Sequence, residues 1–321
     1  VLIDFQVFPF TLKIKAPIQE KKGILLYAKT QEGKEAWSEV SPLPGFSKET
    51  LDDAQKQIED LSKEIFAFDV KSISRRKLYP SVEFGLDSLF YALKHTFDLS
   101  ISYPVCALLT GTFRQVQDQL PILLEGGYQH VKLKVSNLTA DEAHFIIGQL
   151  LGKVSLKIDV NRAWNLNRAL SFFSRYPIDA FEYIEEPVDH IKDLSLFPYP
   201  IALDESLREG MGFPLLPQIK ALIVKPMLTG GLRSLQKVVD LSKSINAQLV
   251  LSSSYESGVG LFHLCSFLSR AKIPLYPLGV DTYRLINKDV IEKPHTLDMG
   301  VLHLSPLQNL QFTTLSKPKL H

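Results

Sequence analysis

Lys157-Ile-Asp-Val-Asn-Arg-Ala-Trp164, Phe181-Glu-Tyr-Ile-Glu-Glu-Pro187 and Ile201-Ala-Leu-Asp-Glu-Ser206 share one pattern, a short apolar run that finishes on carboxylates. Side chains of a strand alternate between its two faces, so Asp159 and Asn161 fall on one face of a strand end. From about Gln119 onward, runs of this kind alternate with amphipathic helical stretches, as in a parallel sheet built from βα units. The spacing predicts strands near 119–125, 130–135, 155–160, 180–185, 200–204, 220–225, 248–252 and 275–280. That number of strands, with helices between most of them, favours a (β/α) barrel; spacing alone leaves a doubly wound open sheet as the alternative. Neither a Gly-x-Gly-x-x-Gly fingerprint nor a P-loop is present to favour a nucleotide.

Residues 1–100 have a different texture. Alternating segments near Val7–Lys15 and Gly23–Thr30 read as strands, Ser41-Pro-Leu-Pro-Gly-Phe-Ser47 as a turn, and Lys48–Phe66 and Val82–His95 as helices. This is an α+β order, placed before a barrel over 101–287. Beyond Asn287 no periodic signal is evident.

Composition excludes several classes. Lys+Arg 36 against Asp+Glu 35 gives a net charge of +1, so no global field draws the chain to nucleic acid or an anionic membrane. No run approaches the roughly 18 apolar residues of a membrane span, and the amino-terminal stretch alternates like a strand, without a basic region and apolar block. Cys106 and Cys265 make no disulfide framework and read as core residues; the cytoplasm is the expected compartment. The histidines show no metal-ligand spacing.

Almost every predicted strand ends on a charged or hydroxyl residue, at the end where barrel active sites form. Val131-Lys-Leu-Lys-Val135 sends Lys132 and Lys134 to one face, although the motif alone fits a solvated edge strand better. The acids at 159, at 185 or 186, and at 204 each fit a helix cap or loop start taken singly. Taken together they suit a hard divalent cation with oxygen ligands, Mg²⁺ or Mn²⁺, whose remaining positions go to water and substrate. Lys225 ends the apolar run Ala221-Leu-Ile-Val-Lys225, where an ammonium is costly without a partner or a task. Leu249-Val-Leu-Ser-Ser-Ser-Tyr-Glu-Ser-Gly-Val-Gly260 offers hydroxyls and backbone N–H groups to an anion, and ordinary loop chemistry explains it equally well.

In order and strand placement, Lys132-x-Lys134, Asp159, Glu185 of Glu-Glu-Pro, Asp204 and Lys225 resemble the muconate-lactonizing subgroup of the enolase superfamily. Asp159-Val-Asn-Arg-Ala-Trp, Asp204-Glu-Ser-Leu-Arg-Glu209, Val224-Lys-Pro-Met-Leu-Thr-Gly230, Ser252-Ser-Ser-Tyr-Glu-Ser and Trp37-Ser-Glu-Val-Ser-Pro-Leu-Pro-Gly-Phe-Ser47 narrow it to the enterobacterial type of o-succinylbenzoate synthase family. The resemblance implies a modified (β/α)7β barrel with an α+β capping domain, joined by the tail 288–321. It implies Asp159, Glu185 and Asp204 as Mg²⁺ ligands, Lys134 as the proton-transferring lysine and Lys225 as the lysine across from it. Lys132 and Asn161 would support them, and Ser252 and Gly279 would meet a succinyl group. Lys157 stands where enterobacterial relatives often carry arginine.

The implied reaction is dehydration of 2-succinyl-6-hydroxy-2,4-cyclohexadiene-1-carboxylate in menaquinone biosynthesis, through an enediolate and syn elimination. A lysine or histidine base beside one or two Mg²⁺ is the well-known arrangement of this superfamily and comes with the resemblance rather than from the spacing of these residues. An N-acylamino acid racemase or dipeptide epimerase of the same superfamily is the nearest alternative, and a non-catalytic barrel binding a small anion is the alternative of another class. The expected partner is a small carboxylate, acted on by a monomer.

Overall fold

The computed structural model describes residues 1–15, 18–210, 212–307 and 310. Its first part is an antiparallel sheet of β1 (Leu2–Lys13), β2 (Glu20–Thr30) and β3 (Glu35–Val40), followed by α1 (Leu51–Asp60), α2 (Ser62–Phe66), α3 (Val70–Arg75) and α4 (Pro80–Ala92). Local chemistry starts the helices: Thr50 and Asp53 form a reciprocal cap on α1, and Pro80 supplies the preset φ at the first turn of α4. Both faces of the sheet are covered. Phe5, Val7, Ile24 and Leu26 pack against Ile58, Val82 and Leu86, whereas Phe8, Phe10, Leu12 and Leu25 pack against Val259, Val290 and Ile291 from the far end of the chain. Strand β3 is absent from the sequence expectation because its interior carries Ser38 and Glu39, both fully buried, and polar residues there hide the strand signal.

The second part follows β4 (Ser102–Pro104) with β5 (Cys106–Leu109), α5 (Phe113–Glu125), β6 (His130–Lys134), α6 (Ala140–Leu150), β7 (Ser155–Asp159), α7 (Leu166–Phe173), β8 (Tyr183–Glu185), β9 (Ile201–Leu203), α8 (Glu205–Arg208), β10 (Ile219–Val224), α9 (Pro226–Thr229), α10 (Leu232–Ser244), β11 (Gln248–Leu251) and α11 (Gly258–Arg270). Strands β5 to β11 lie in chain order in one parallel sheet. The predicted strand at 275–280 is reduced to two parallel bridges, Val105 with Leu278 and Ser252 with Gly279, and these join the sheet's two edges into a ring. The architecture is therefore a barrel of the (β/α) type with a preceding antiparallel-sheet unit.

One predicted strand is wrong. Residues 119–125 lie in α5, and the first barrel strand is Cys106–Leu109 instead. The apolar run with Pro121 reads as extended in isolation, but Thr112 and Gln115 form a capping box, and Val116, Leu120 and Leu123 line a buried helical stripe with Ile122 exposed. Beyond the barrel, Asn287 N–H donates to the Lys13 carbonyl, Ile14 bridges Ile286, and β13 (Val301–His303) pairs with β12 (Thr296–Asp298) and with β4. Much of the remaining tail, including 311–321, lies outside the described residues.

Candidate active site

The carboxyl ends of the barrel strands open into a cavity of about 490 Å³, which Lys132, Lys134, Asp159, Asn161, Glu185, Asp204, Lys225, Ser252 and Gly279 all line. The ring order divides it into two arcs. Strands β7, β8 and β9 carry the carboxylates side by side, with Asp159 opposite Glu185 in register, and the lysine strands β6 and β10 flank them. With the closing segment counted as one position, β6 and β10 stand on opposite sides of the barrel, so Lys134 and Lys225 face each other across the cavity. The other arc is the serine turn after β11 with Gly279, and Ile18, Leu43 and Phe46 from the amino-terminal unit add an apolar wall.

Within the first arc the lysines hold the acids. Lys132 Nζ donates to both oxygens of Glu185 at 3.0 Å and lies 3.3 Å from Asp159 Oδ2. Lys134 Nζ lies 3.4 Å from the same oxygen and donates to Asn161 Oδ1 at 3.2 Å. Lys225 donates to Asp204 Oδ2. Asn161 sits at φ 49°, a left-handed conformation that asparagine tolerates, and its N–H donates to Asp159 Oδ1.

Strand phase leaves Glu185 and Glu186 undecided; the backbone separates them. Glu185 points into the cavity, while Glu186, at φ 45°, turns behind the strands. There Glu186 accepts the N–H groups of Asp204 and Ser206, the Ser206 hydroxyl and Arg162 Nε, tying the tips of β7, β8 and β9 together. Lys157 is buried among other groups, paired with Glu182 at 2.6 Å and set over the Tyr183 ring, and is not among the residues that line the cavity.

Burial, reinforced by the charge of Asp159, pushes the Glu185 carboxyl up to about 8. Burial acts against the Lys132 ammonium, yet the charges of Glu185, Asp159 and Asp204 outweigh it and hold that group well above the ordinary lysine range. For Asp204, burial is likewise outweighed, here by the charge and hydrogen bond of Lys225, and its carboxyl stays below its usual value.

The donor set fits a divalent cation on one observation: Asp159 Oδ2 and Asp204 Oδ1 are buried oxygens that accept no well-formed hydrogen bond, although the charges of Lys132 and Lys134 lie 3.3 and 3.4 Å from the first and Arg208 Nε 3.4 Å from the second. Among the described residues no three Asp, Glu, His or Cys side chains are already gathered as a cage, since the ammonium of Lys132 lies among the acids.

Sequence reasoning misses part of this cavity. Leu43 and Phe46 sit in a stretch that reads as a turn and carries part of the resemblance, but neither side chain is singled out there, and Asp281, which lines the wall, accepts the Leu108 N–H and pairs with Arg284. A single acid after a short apolar run is the available signal for Asp281. Gly279 has a packing cause: a Cβ there would lie 2.6 Å from Ser252 Oγ.

Barrel, acidic arc and facing lysines define the class. The sequence profile described as "Enolase C-terminal domain-like" matches residues 115–308, and "MenC, N-terminal domain" matches 10–93. An enolase-superfamily structure from Roseovarius nubinhibens complexed with magnesium superposes with TM-score 0.80 at 17% identity, covering 98% of this chain and 97% of that one. The L-Ala-D/L-Glu epimerase of Bacillus subtilis superposes with TM-score 0.76 at 15% identity over 99% of both chains. The o-succinylbenzoate synthase of Yersinia pseudotuberculosis is 32% identical over 292 residues, 85% of this chain and 86% of that protein. That of Haemophilus influenzae is 28% identical over 300 residues, 89% of this chain and 90% of that protein. The chain belongs to the o-succinylbenzoate synthase family of the enolase superfamily, and it is an enzyme of the lyase type. Among the described residues no helix is long and apolar enough to cross a membrane.

Proposed function

We propose that the chain removes water from 2-succinyl-6-hydroxy-2,4-cyclohexadiene-1-carboxylate to give o-succinylbenzoate in menaquinone biosynthesis, with Lys134 as the proton-transferring group. The observation that carries this reading is the placement of Lys134 and Lys225 on opposite sides of one cavity with three acids on the arc between them. Asp159, Glu185 and Asp204 would hold Mg²⁺, or Mn²⁺ in its place. When bound, the cation supplies positive charge beside the substrate carboxylate, where negative charge gathers once the α-proton leaves.

Lys134 takes that proton from one face of the ring. The C–H electron pair forms the new ring double bond, the C–O bond breaks, and the ammonium of Lys134 returns the proton to the departing hydroxyl as water, so one group on one face completes a syn elimination. Lys225 stays cationic on the other face and opposes the charge that develops there. Lys132 and Asn161 hold Asp159, Glu185 and Lys134 in place. Ser252 and Gly279 receive the succinyl end on the opposite arc. Residues 1–100, joined by the described residues of the tail from 288 to 307, cap the barrel of 101–287 and exclude water through Leu43 and Phe46.

The facing lysines also suit a racemase or epimerase that passes a proton across a carbon. Incubating the protein with the cyclohexadiene carboxylate and, separately, with N-acylamino acids under Mg²⁺ decides between them. The expected result is aromatic product from the first and unchanged optical rotation in the second; the reverse pattern overturns the reading.

A further inference from the structure

Behind the serine arc lies a second set of charges that no step above uses. Lys21 of β2, Glu39 of β3 and Glu256, which follows the serine turn, are each at most 2% exposed. Lys21 Nζ donates to two carbonyls at 3.2 Å, those of Pro42 and Ser254. Pro42 leads into Leu43 and Phe46, and Ser254 belongs to the facing turn, so one ammonium ties the two loops that wall the cavity.

The carboxylates fix the rest of that turn. Glu256 accepts the hydroxyls of Ser253 and Ser254 and the Ser254 N–H at 2.6–2.7 Å. Glu39 accepts the Ser41 hydroxyl from its own unit and, across the interface, the Ser257 hydroxyl with the N–H groups of Ser257 and Gly260 at the start of α11. Between them Tyr255 is held at φ 67°, a conformation that a tyrosine does not take up without support. Burial draws the Lys21 amine down to about 8 against the attraction of Glu256 and Glu39, and pushes the Glu39 carboxyl up to about 7. Three buried ionisable groups are costly to keep, and an ordinary docking interface would be met by apolar residues of similar volume.

We propose that Lys21, Glu39 and Glu256 form a clasp of positioning residues that sets the distance between the Leu43–Phe46 loop and the Ser252–Tyr255 turn, and thereby the fit of the substrate's acyl end. This rests on the functional reading above and adds to it where the amino-terminal unit acts on the barrel. Lys21→Met removes the ammonium at similar volume. If it leaves the protein poorly folded, the double variant Lys21→Met/Glu256→Gln, which also removes one buried negative charge, replaces it.

Amide hydrogen exchange needs no substrate and reads both loops directly. Exchange at Phe46, Ser47 and Ser254 should quicken together by about tenfold in either variant, with β7 to β9 unchanged. In steady-state assays KM should rise about tenfold while kcat falls less than threefold, and Mg²⁺ affinity measured by calorimetry should not move. Exchange that changes in neither loop, or in one alone, overturns the clasp, as does a loss confined to kcat. If the wild type fails to turn over the cyclohexadiene carboxylate, the functional reading falls, and the exchange result still decides the clasp.

Discussion

The two arcs of the cavity are built by opposite means. The acidic arc draws Asp159, Glu185 and Asp204 from three neighbouring strand tips, and each acid meets a lysine ammonium from the same sheet. The serine arc is shaped from outside the barrel: the hydroxyls of Ser253 and Ser254 are occupied by Glu256 while that of Ser252 donates to the Gly279 carbonyl, the turn is tied to the Pro42 carbonyl through Lys21, and the helix that follows is capped by Glu39. In the proposed mechanism the first arc holds the groups that move charge and protons, and the second holds shape. Damage to the first should remove chemistry and leave the fold; damage to the second should change fit or stability and leave chemistry.

The sharpest way to break this contrast is at the acids. Glu185→Gln and Asp204→Asn should each lower turnover by roughly 10²–10³-fold or more while the circular dichroism spectrum stays that of the wild type. Calorimetry should show Mg²⁺ affinity sharply weakened in both; unchanged binding would remove these residues from the metal site.

Next in size are the lysines. Lys134→Ala should lose dehydration by roughly 10²–10⁴-fold and, with it, exchange of the substrate α-proton in deuterium oxide. Lys225→Ala should also stop turnover through lost charge stabilisation. If Lys134→Ala still exchanges the α-proton at the wild-type rate, the division of labour between the two is reversed.

A stability test sharpens the interface side. His263 in α11 is fully buried, its Nε2 lies 2.7 Å from the Trp37 carbonyl of β3, and burial draws it down to about 4. The unfolded chain binds a proton near 6.5 that the folded protein refuses, so stability falls as pH drops from 6.5 toward 4, by roughly 3 kcal/mol in full. Glu39 acts in the other direction: raised to about 7, it keeps a proton that the unfolded chain has released above about 4.5, and its contribution is lost as pH rises to 7. His263→Gln keeps a donor for the Trp37 carbonyl and removes the first effect. Its Tm, relative to wild type, should therefore gain more at pH 5 than at pH 7, and an equal change at both pH values would contradict this account.

The smallest effect is expected at the apolar wall. Phe46 is 52% exposed and stacks loosely over Arg208, so Phe46→Ala should cost little stability. It should raise KM several-fold, about 1 kcal/mol of lost contact with a bound ligand, with kcat nearly unchanged. A KM equal to that of wild type would separate the Leu43–Phe46 loop from substrate binding.

The sequence alone places the lysines, the strand-tip acids and the serine turn on a repeating βα pattern, because strand phase and the βα repeat are local properties that survive without knowledge of any partner. It misplaces the first barrel strand for the same reason: an apolar run around Pro121 carries no local mark of its own, and the helix cap that decides it stands several residues earlier. Strand phase does not choose between Glu185 and Glu186, and only the resemblance names Glu185. The tertiary structure supplies the physical reason, a positive φ at Glu186 secured by Arg162, Ser206 and the backbone of Asp204, which turns Glu186 behind the strands. Likewise, only the folded chain brings Lys21 to Ser254 and Glu39 to Ser257, pairs separated by more than two hundred residues. Near a turn or in a short strand, a lysine or glutamate reads as a solvated group until the fold buries it, and the partner that makes its burial tolerable leaves no trace in the neighbouring sequence.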